Sequence, residues 1–269
     1  MNATHEAIAQ HATGRPTTTP WSADPYADAL RAGRGPLFLR RTDGWLLPLE
    51  VERWCARADA VDREVLTRCE GAVLDVGCGP GRLVVELASS GRAALGIDVS
   101  EAAVAHTTRR GGQALRRSVF EPLPGEGRWG TALLLDGNLG IGGAPQALLG
   151  RLARLLLPGG LLIAETVPVD VDELASVRLV RTADLAGAGD VRGTAGAPFP
   201  WARLGTPALL RCARAQGWRA VDQWAAGGRA FVALRSRTSS SRAEPPNSTA
   251  EISSHLLRNP SPDSPATDR

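Results

Sequence analysis

The sequence predicts a doubly wound α/β domain: a seven-stranded, mostly parallel sheet with helices on both faces and a terminal antiparallel strand. Three observations carry this. From about residue 73 to 166, short apolar runs alternate with segments of helical spacing, the rhythm of parallel strands joined by crossover helices. Within that span, VLDVGCGPGRLVVELA (73–88) breaks from an apolar run into Gly77, Gly79 and Gly81 and then resumes with helical spacing. In open sheets of this kind a ligand sits beyond the carboxyl ends of the strands, at such a turn. Finally, RAVDQWAAGGRAFVALRS (219–236) holds two strand-like runs around Gly227-Gly228, and strands joined so closely must be antiparallel.

The elements follow in order. PLFLRRTDGWLLPLE (36–50) has two apolar runs around Thr42-Asp43-Gly44, the turn chemistry of a hairpin. VERWCARADAVDREVLTRC (51–69) has helical spacing. A strand at 73–76 leads through the glycines to a helix over about 80–90, and AALGIDV (93–99) is the next strand. Ser100 is a good N-cap for the helix that follows, with Glu101 favoured by the helix dipole. Strands are expected near 117–120 and at TALLLD (131–136), followed by the helix APQALLGRLARLLL (144–157). Pro158-Gly159-Gly160 should stop that helix, leaving LLIAET (161–166) as a buried strand. TPALLRCARAQGW (206–218) is the last helix.

These elements set one domain over 25–235, a polar leader over 1–24 and a Ser/Pro/Asn/Thr-rich tail over 236–269, both expected to be disordered. An apolar fraction of 43% in 269 residues supports a substantial core. All 31 basic residues are Arg, spread along the chain, and the net charge is only +3. That pattern reads as solvated surface and argues against a nucleic-acid partner. Cys55, Cys69, Cys78 and Cys212 have no CxxC spacing and no paired His beside them, so no metal site is expected. The start MNATHEAIAQ has no signal-peptide pattern, and no run nears the roughly 20 apolar residues of a membrane span. The expected location is cytoplasmic, with reduced thiols.

The glycine spacing narrows the ligand. A dinucleotide fingerprint would put its third glycine where Arg82 stands, and a P-loop needs a lysine that the chain lacks. What remains is D-x-G-x-G-x-G, beginning at Asp75. VLDVGCGPGR resembles the first motif of class I S-adenosylmethionine-dependent methyltransferases, a Rossmann-like family. The likeness continues through GIDVS, with Asp98 closing the second strand, through LLPGGLLIAE, and into the antiparallel pair, covering about 50–235.

The resemblance implies S-adenosylmethionine as cofactor and methyl transfer as reaction. It implies that Gly77, Cys78, Gly79 and Gly81 form the cofactor loop, that Asp75 steadies it and meets the cofactor's amino group directly or through water, that Asp98 accepts both ribose hydroxyls and that Val99 packs on adenine. The family often has an Asp after the third strand; here SVFEPLP puts Val119 or Phe120 there, leaving the Phe120 N–H and the Glu121 carboxylate to meet the adenine. Asp136 and Asn138 end the fourth strand, where the methyl group meets its acceptor, and are the catalytic candidates; Asp136 also borders the cofactor. Asp136-Gly137-Asn138-Leu139 lacks the Pro-Pro-aromatic motif of enzymes acting on planar amines of nucleic acids and proteins, and no Pro-Cys pair is present.

A base is needed only if the acceptor arrives protonated. His5, His11 and His255 fall in the presumed tails and His106 on a helix face, so Asp136 and Glu165 are the better-placed acids. The 168–205 insertion is long for a compact domain. Its SVRLVRT and FPWARLG pieces should pair as a hairpin that, with the N-terminal hairpin, serves as a lid. Trp45, Glu165, Trp201 and Arg203 are the substrate candidates. The expected acceptor is a small molecule. Two rival readings stay open: a catalytically silent cofactor-binding regulator, and an RNA methyltransferase.

Overall fold

The computed structural model describes residues 24–185 and 197–236. The proposed leader and tail lie outside these residues except at their inner ends, as does part of the insertion. The chain runs α1 (Asp24–Ala32), β1 (Leu37–Arg41), β2 (Leu46–Leu49), α2 (Val51–Cys55), α3 (Ala60–Thr67), β3 (Val73–Val76), α4 (Arg82–Ser89), β4 (Ala94–Asp98), α5 (Glu101–Arg109) and β5 (Ala114–Arg116). It continues with β6 (Trp129–Leu134), a 3-10 segment (Asn138–Gly143), α6 (Pro145–Leu155), β7 (Leu156–Thr166), β8 (Asp172–Arg181), α7 (Thr182–Leu185), β9 (Phe199–Leu204), α8 (Thr206–Ala215), β10 (Arg219–Ala226) and β11 (Arg229–Arg235).

Seven strands form the main sheet in the order β10-β11-β7-β6-β3-β4-β5. The run from β7 to β5 is parallel, and β11 lies antiparallel between β7 and β10. The central strands are buried on both faces, as crossover helices require. Ala132 and Leu134 point into the cluster under α6 and α8, while Leu133 and Leu135 face Val65, Leu83 and Leu87 of α3 and α4. The turn between β10 and β11 uses positive φ at Gly227 and Gly228, the backbone a tight hairpin prefers.

A second sheet of four strands, β2-β1-β8-β9, was only half legible. Both expected hairpins form, β1 with β2 and β8 with β9. They also join through β1 and β8, from Leu37↔Arg181 to Arg41↔Val177. Leu37, Leu39, Val177 and Leu179 fill its inner face against Leu30 of α1. The insertion is therefore no detachable lid: β8 is an interior strand.

Three further expectations need correction, and one element is new. The helix over 51–69 is two, because Asp59 and Asp62 form a capping box that starts α3 afresh. The third strand is 114–116, not 117–120; beyond it Ser118 N–H donates to the Glu121 carboxylate at 2.8 Å, closing a turn. Strand β7 begins at Leu156, so Pro158-Gly159 sits within it, beside a register shift between Trp129 and Thr131. Helix α1 is an addition, a short element that buries Tyr26 and Leu30.

Candidate active site

Strands β3, β4, β6 and β7 all end at one edge of the main sheet, and the glycine loop turns there. Gly77, Gly79 and Gly81 have φ of +72°, +54° and +82°, values that side chains disfavour. Their surroundings separate their roles. A Cβ on Gly81 would lie 2.3 Å from the Thr107 hydroxyl, so this glycine serves the packing of α4 on α5. A Cβ on Gly77 would strike the Asn138 amide at 2.8 Å. At Gly79 the nearest atom is the Tyr26 hydroxyl at 3.4 Å. Gly79 thus presents bare backbone to a cleft of about 870 Å³.

That cleft is lined by Gly77, Cys78, Gly79, Asp98 and Val99 on one side, with Arg117, Ser118 and Val119 beyond them. Asp98 is held by two backbone donors: Gly79 N–H reaches Oδ2 at 2.9 Å and Ser100 N–H reaches Oδ1 at 2.8 Å. Burial pushes its carboxyl up to about 6, with those donors opposing. Each oxygen keeps a lone pair for a hydroxyl donor. The residues fit the adenosine portion of S-adenosylmethionine on these grounds: bare loop backbone, and a carboxylate facing the cavity beside an apolar Val99.

Phe120 and Glu121 do not line the cleft. Phe120 is 45% exposed and its N–H donates to the Ser118 hydroxyl, while Glu121 folds back on Ser118 N–H. Their assumed place is taken by Arg117, Ser118 and Val119, because the strand before them ends earlier than expected.

Asp75 is 2% exposed, lies outside the cleft lining, and its Oδ2 has no hydrogen-bond partner among the described residues. Burial pushes its carboxyl up to about 7 against the pull of Arg82. A buried acid whose pKa is raised costs stability once ionised, so the cost is absent near pH 4 and grows toward pH 7. Asp75→Asn should therefore be more stable than the parent at pH 8 by about 1–3 kcal/mol after the amide's own burial cost. Thermal unfolding from pH 4 to 8 should show the two curves converging at the acid end.

The catalytic candidates stand in a network of charges that the sequence did not show. Asp62 is 1% exposed. It accepts Arg82 Nε at 2.8 Å, a second Arg82 bond at 3.0 Å, Arg229 at 2.8 Å and Arg53 at 3.2 Å. Asp136 accepts Arg82 at 2.5 Å and also Arg53. Glu165 receives both Arg229 Nε at 2.8 Å and its terminal nitrogen at 2.7 Å, and accepts Asp136 N–H at 2.8 Å. Burial raises the Asp62 and Asp136 carboxyls, but Arg82 and its neighbours outweigh it and hold both below the usual range. Neither Asp136 nor Glu165 is placed to act as a base. Asn138 donates to the carbonyls of Val76 at 2.8 Å and Gly77 at 3.0 Å, tying the end of β6 to the glycine loop.

Topology explains the network. Because β11 runs antiparallel to β7, its first residue, Arg229, arrives at the edge where the parallel strands finish, and Ala230 pairs with Thr166. Arg82 opens α4 directly behind the glycines. Asp136 takes φ +56° where β6 turns away. Tyr26 from α1 and Trp54 from α2 close the cleft, 6.3 Å apart edge to face. Tyr26 is the single tyrosine of the chain; its isolation was the one available sign.

Of the substrate candidates, Trp201 lines both the cleft and an adjoining groove, and Glu165 and Arg203 line the groove. Trp45 lines neither. It packs against Arg203, 4.6 Å from its ring centre, and against Arg41 in a separate crevice. His106 also lies apart, its Nδ1 3.2 Å from the Pro80 carbonyl. Among the described residues no cluster of His, Cys, Asp and Glu is arranged to hold a metal, and no helix is long and apolar enough to cross a membrane.

Comparison with known proteins supplies the context. Residues 73–160 match the family model described as a methyltransferase domain. No curated protein matches the sequence. A solved S-adenosylmethionine-dependent methyltransferase from Bacteroides fragilis, in complex with S-adenosylhomocysteine, is 21% identical, with a TM-score of 0.66 over 81% of this chain and 97% of that one. The 1,6-didemethyltoxoflavin N1-methyltransferase of Burkholderia thailandensis is also 21% identical, covering 67% of this chain and 76% of its own, with a TM-score of 0.47. The glycopeptide N-methyltransferase MtfA with S-adenosylhomocysteine is 17% identical over 67% of this chain and 90% of its own, at a TM-score of 0.49. Residues 73–160 thus carry the methyltransferase-domain match, and the chain as a whole has the fold of the Bacteroides fragilis methyltransferase.

Proposed function

We propose that the chain transfers a methyl group from S-adenosylmethionine to a small organic acceptor held beside the end of β6. The observation that carries this is the second groove. It shares Leu47, Leu49, Trp54, Asp136, Gly137 and Trp201 with the cofactor cleft. A protein that only senses the cofactor has no need of a second chamber meeting the first at the strand end.

The bound cofactor supplies a methyl group already activated on a sulfonium. The chain's part is alignment, which contributes up to roughly 7–11 kcal/mol to such reactions. Asp98 and the Gly77–Gly79 backbone fix one reactant. Asn138 lines the cleft and, braced on the Val76 and Gly77 carbonyls, holds the turn through Asp136 and Gly137 where the groove meets it. Strands β1, β2, β8 and β9 roof the site and keep bulk water from the reacting atoms. The nucleic-acid alternative loses ground because Arg53, Arg82 and Arg229 at the strand ends and Arg203 in the groove are already spent on carboxylates, leaving Arg117 as a single cleft-lining arginine rather than a basic face.

Calorimetry with S-adenosylmethionine, S-adenosylhomocysteine and NAD tests the cofactor; binding of NAD alone would refute it. Asn138→Ala should lower turnover by about tenfold or more while changing cofactor affinity less, read from single-turnover and binding measurements on one preparation. Transfer of labelled methyl groups to RNA or protein, with no small-molecule product, would overturn the acceptor class.

A further inference from the structure

On the reading that this site methylates a small molecule, we infer that its acceptor is an apolar, uncharged, ring-bearing compound that presents a neutral nitrogen and is methylated without an enzymic base. The groove wall beside the cleft is apolar and aromatic: Leu47, Leu49, Trp54, Val167, Trp201 and Leu204. Trp201 is 7% exposed and fixed edge to face against Phe199. Flat rings stack on such surfaces, and aliphatic side chains offer a polyhydroxylated acceptor no partners.

Charge argues the same way. The ionisable groups facing the groove are Glu50, Asp136, Glu165 and Arg203, and on the cleft side Tyr26, Arg82, Asp98 and Arg117. Arg203 is engaged with Glu173 at 3.1 Å and with the Trp45 ring. An anionic acceptor therefore meets three carboxylates and a committed guanidinium. A cation is no better served, because Asp136 and Glu165 already hold arginines.

Proton accounting selects the nucleophile. Arg82 and Arg53 hold the Asp136 carboxyl below its usual range, and both Glu165 oxygens are taken up by Arg229. His106 lines neither chamber, and burial raises the Tyr26 hydroxyl well above its ordinary value, keeping it neutral. An alcohol or phenol would have to lose its proton to a base that the described residues of the groove do not offer. A weakly basic amine or ring nitrogen has a free lone pair at neutral pH. That pair forms the new N–C bond, and the C–S bond of the donor breaks with its electrons passing to sulfur. Where the nitrogen carried hydrogen, the resulting ammonium proton leaves to solvent after release.

Four matched probes test this with the full chain: 2-naphthylamine, 2-naphthol, 2-naphthoate and the cationic 2-naphthylmethylamine. Cofactor binding is measured first by calorimetry, so a failure of the methyltransferase reading shows separately. Probe binding to the cofactor-loaded protein is followed by tryptophan fluorescence, and transfer with labelled methyl donor. We expect 2-naphthylamine to bind and be methylated at least tenfold faster than the other three. At saturating cofactor across the whole pH range, its kcat/KM should rise through the amine's own pKa and then stay level. Val167→Arg, on the groove wall outside the cleft, should weaken its binding more than tenfold with cofactor affinity unchanged. Preference for the naphthol, the naphthoate or the cation, a kcat/KM still climbing well above the amine's pKa, or binding of none of the four while cofactor binds normally, would overturn the inference.

Discussion

Asp62→Ala should destabilise the protein by about 3–5 kcal/mol, a fall of roughly 10 °C or more in Tm. Asp62 carries no candidate chemistry, yet it is the anion on which Arg53, Arg82 and Arg229 converge. Arg82 is 5% exposed. Removing Asp62 leaves it buried with Asp136 alone, and an uncompensated buried charge is far costlier than the net worth of the pair. The capping box at the start of α3 is lost as well, since Asp62 Oδ2 accepts from Asp59 N–H at 3.2 Å. Asp62→Asn keeps the shape and much of the cap, and should recover only part of the loss. The pH dependence has a definite sign. The Asp62 carboxyl is depressed in the folded state, so its stabilisation is complete above the ordinary carboxylate range and disappears as pH falls below about 4. Denaturant unfolding at pH 7 and at pH 3 checks this: parent and variant should differ most at the first and by about 1 kcal/mol less at the second, where the folded carboxyl is still ionised. Equal stability at pH 7 would show that the arginine network is ornamental.

Asp98→Ala should weaken S-adenosylmethionine by about 2–3 kcal/mol, a factor of roughly 30 to 150. Two losses combine. The ribose hydroxyls lose a charged acceptor, and Gly79 and Ser100 lose the acceptor of N–H groups that hold the loop against β4. Since burial places the carboxyl at about 6 in the free protein, affinity should also fall about tenfold from pH 7 to pH 5, as the ionised form required by the hydroxyl donors is depleted. The alanine variant should lack that pH dependence. Gly79→Val, which forces a branched side chain into the cleft at positive φ, should remove measurable binding. Calorimetry across pH reads all three. Undiminished affinity in Asp98→Ala would move the ribose contact elsewhere.

The roof explains why the insertion must be probed by point changes. Excising about 175–200 would remove most of β8, an interior strand holding β1 on one side and β9 on the other. That deletion reports on folding before it reports on acceptor binding.

What the sequence determined by itself is the main sheet and its loop. Apolar runs of strand length between helical patterns dictate parallel strands because both of their faces must be covered. The glycines at 77, 79 and 81 mark backbone that no side chain adopts cheaply, and Asp98 follows from its place at the end of the next strand. Tertiary structure alone decided the rest. The pairing of β1 with β8 joins two hairpins more than a hundred residues apart, and nothing local specifies which edge meets which. The same holds for Asp62 and Arg229, 167 positions apart. A scattered arginine reads as solvated surface until its carboxylate is in view. Asp136 and Glu165 lie at strand ends as their sequence positions suggest, but their arginine partners are brought from α2, α4 and β11. Charge interactions depend on distance and burial, and only the packed chain sets those.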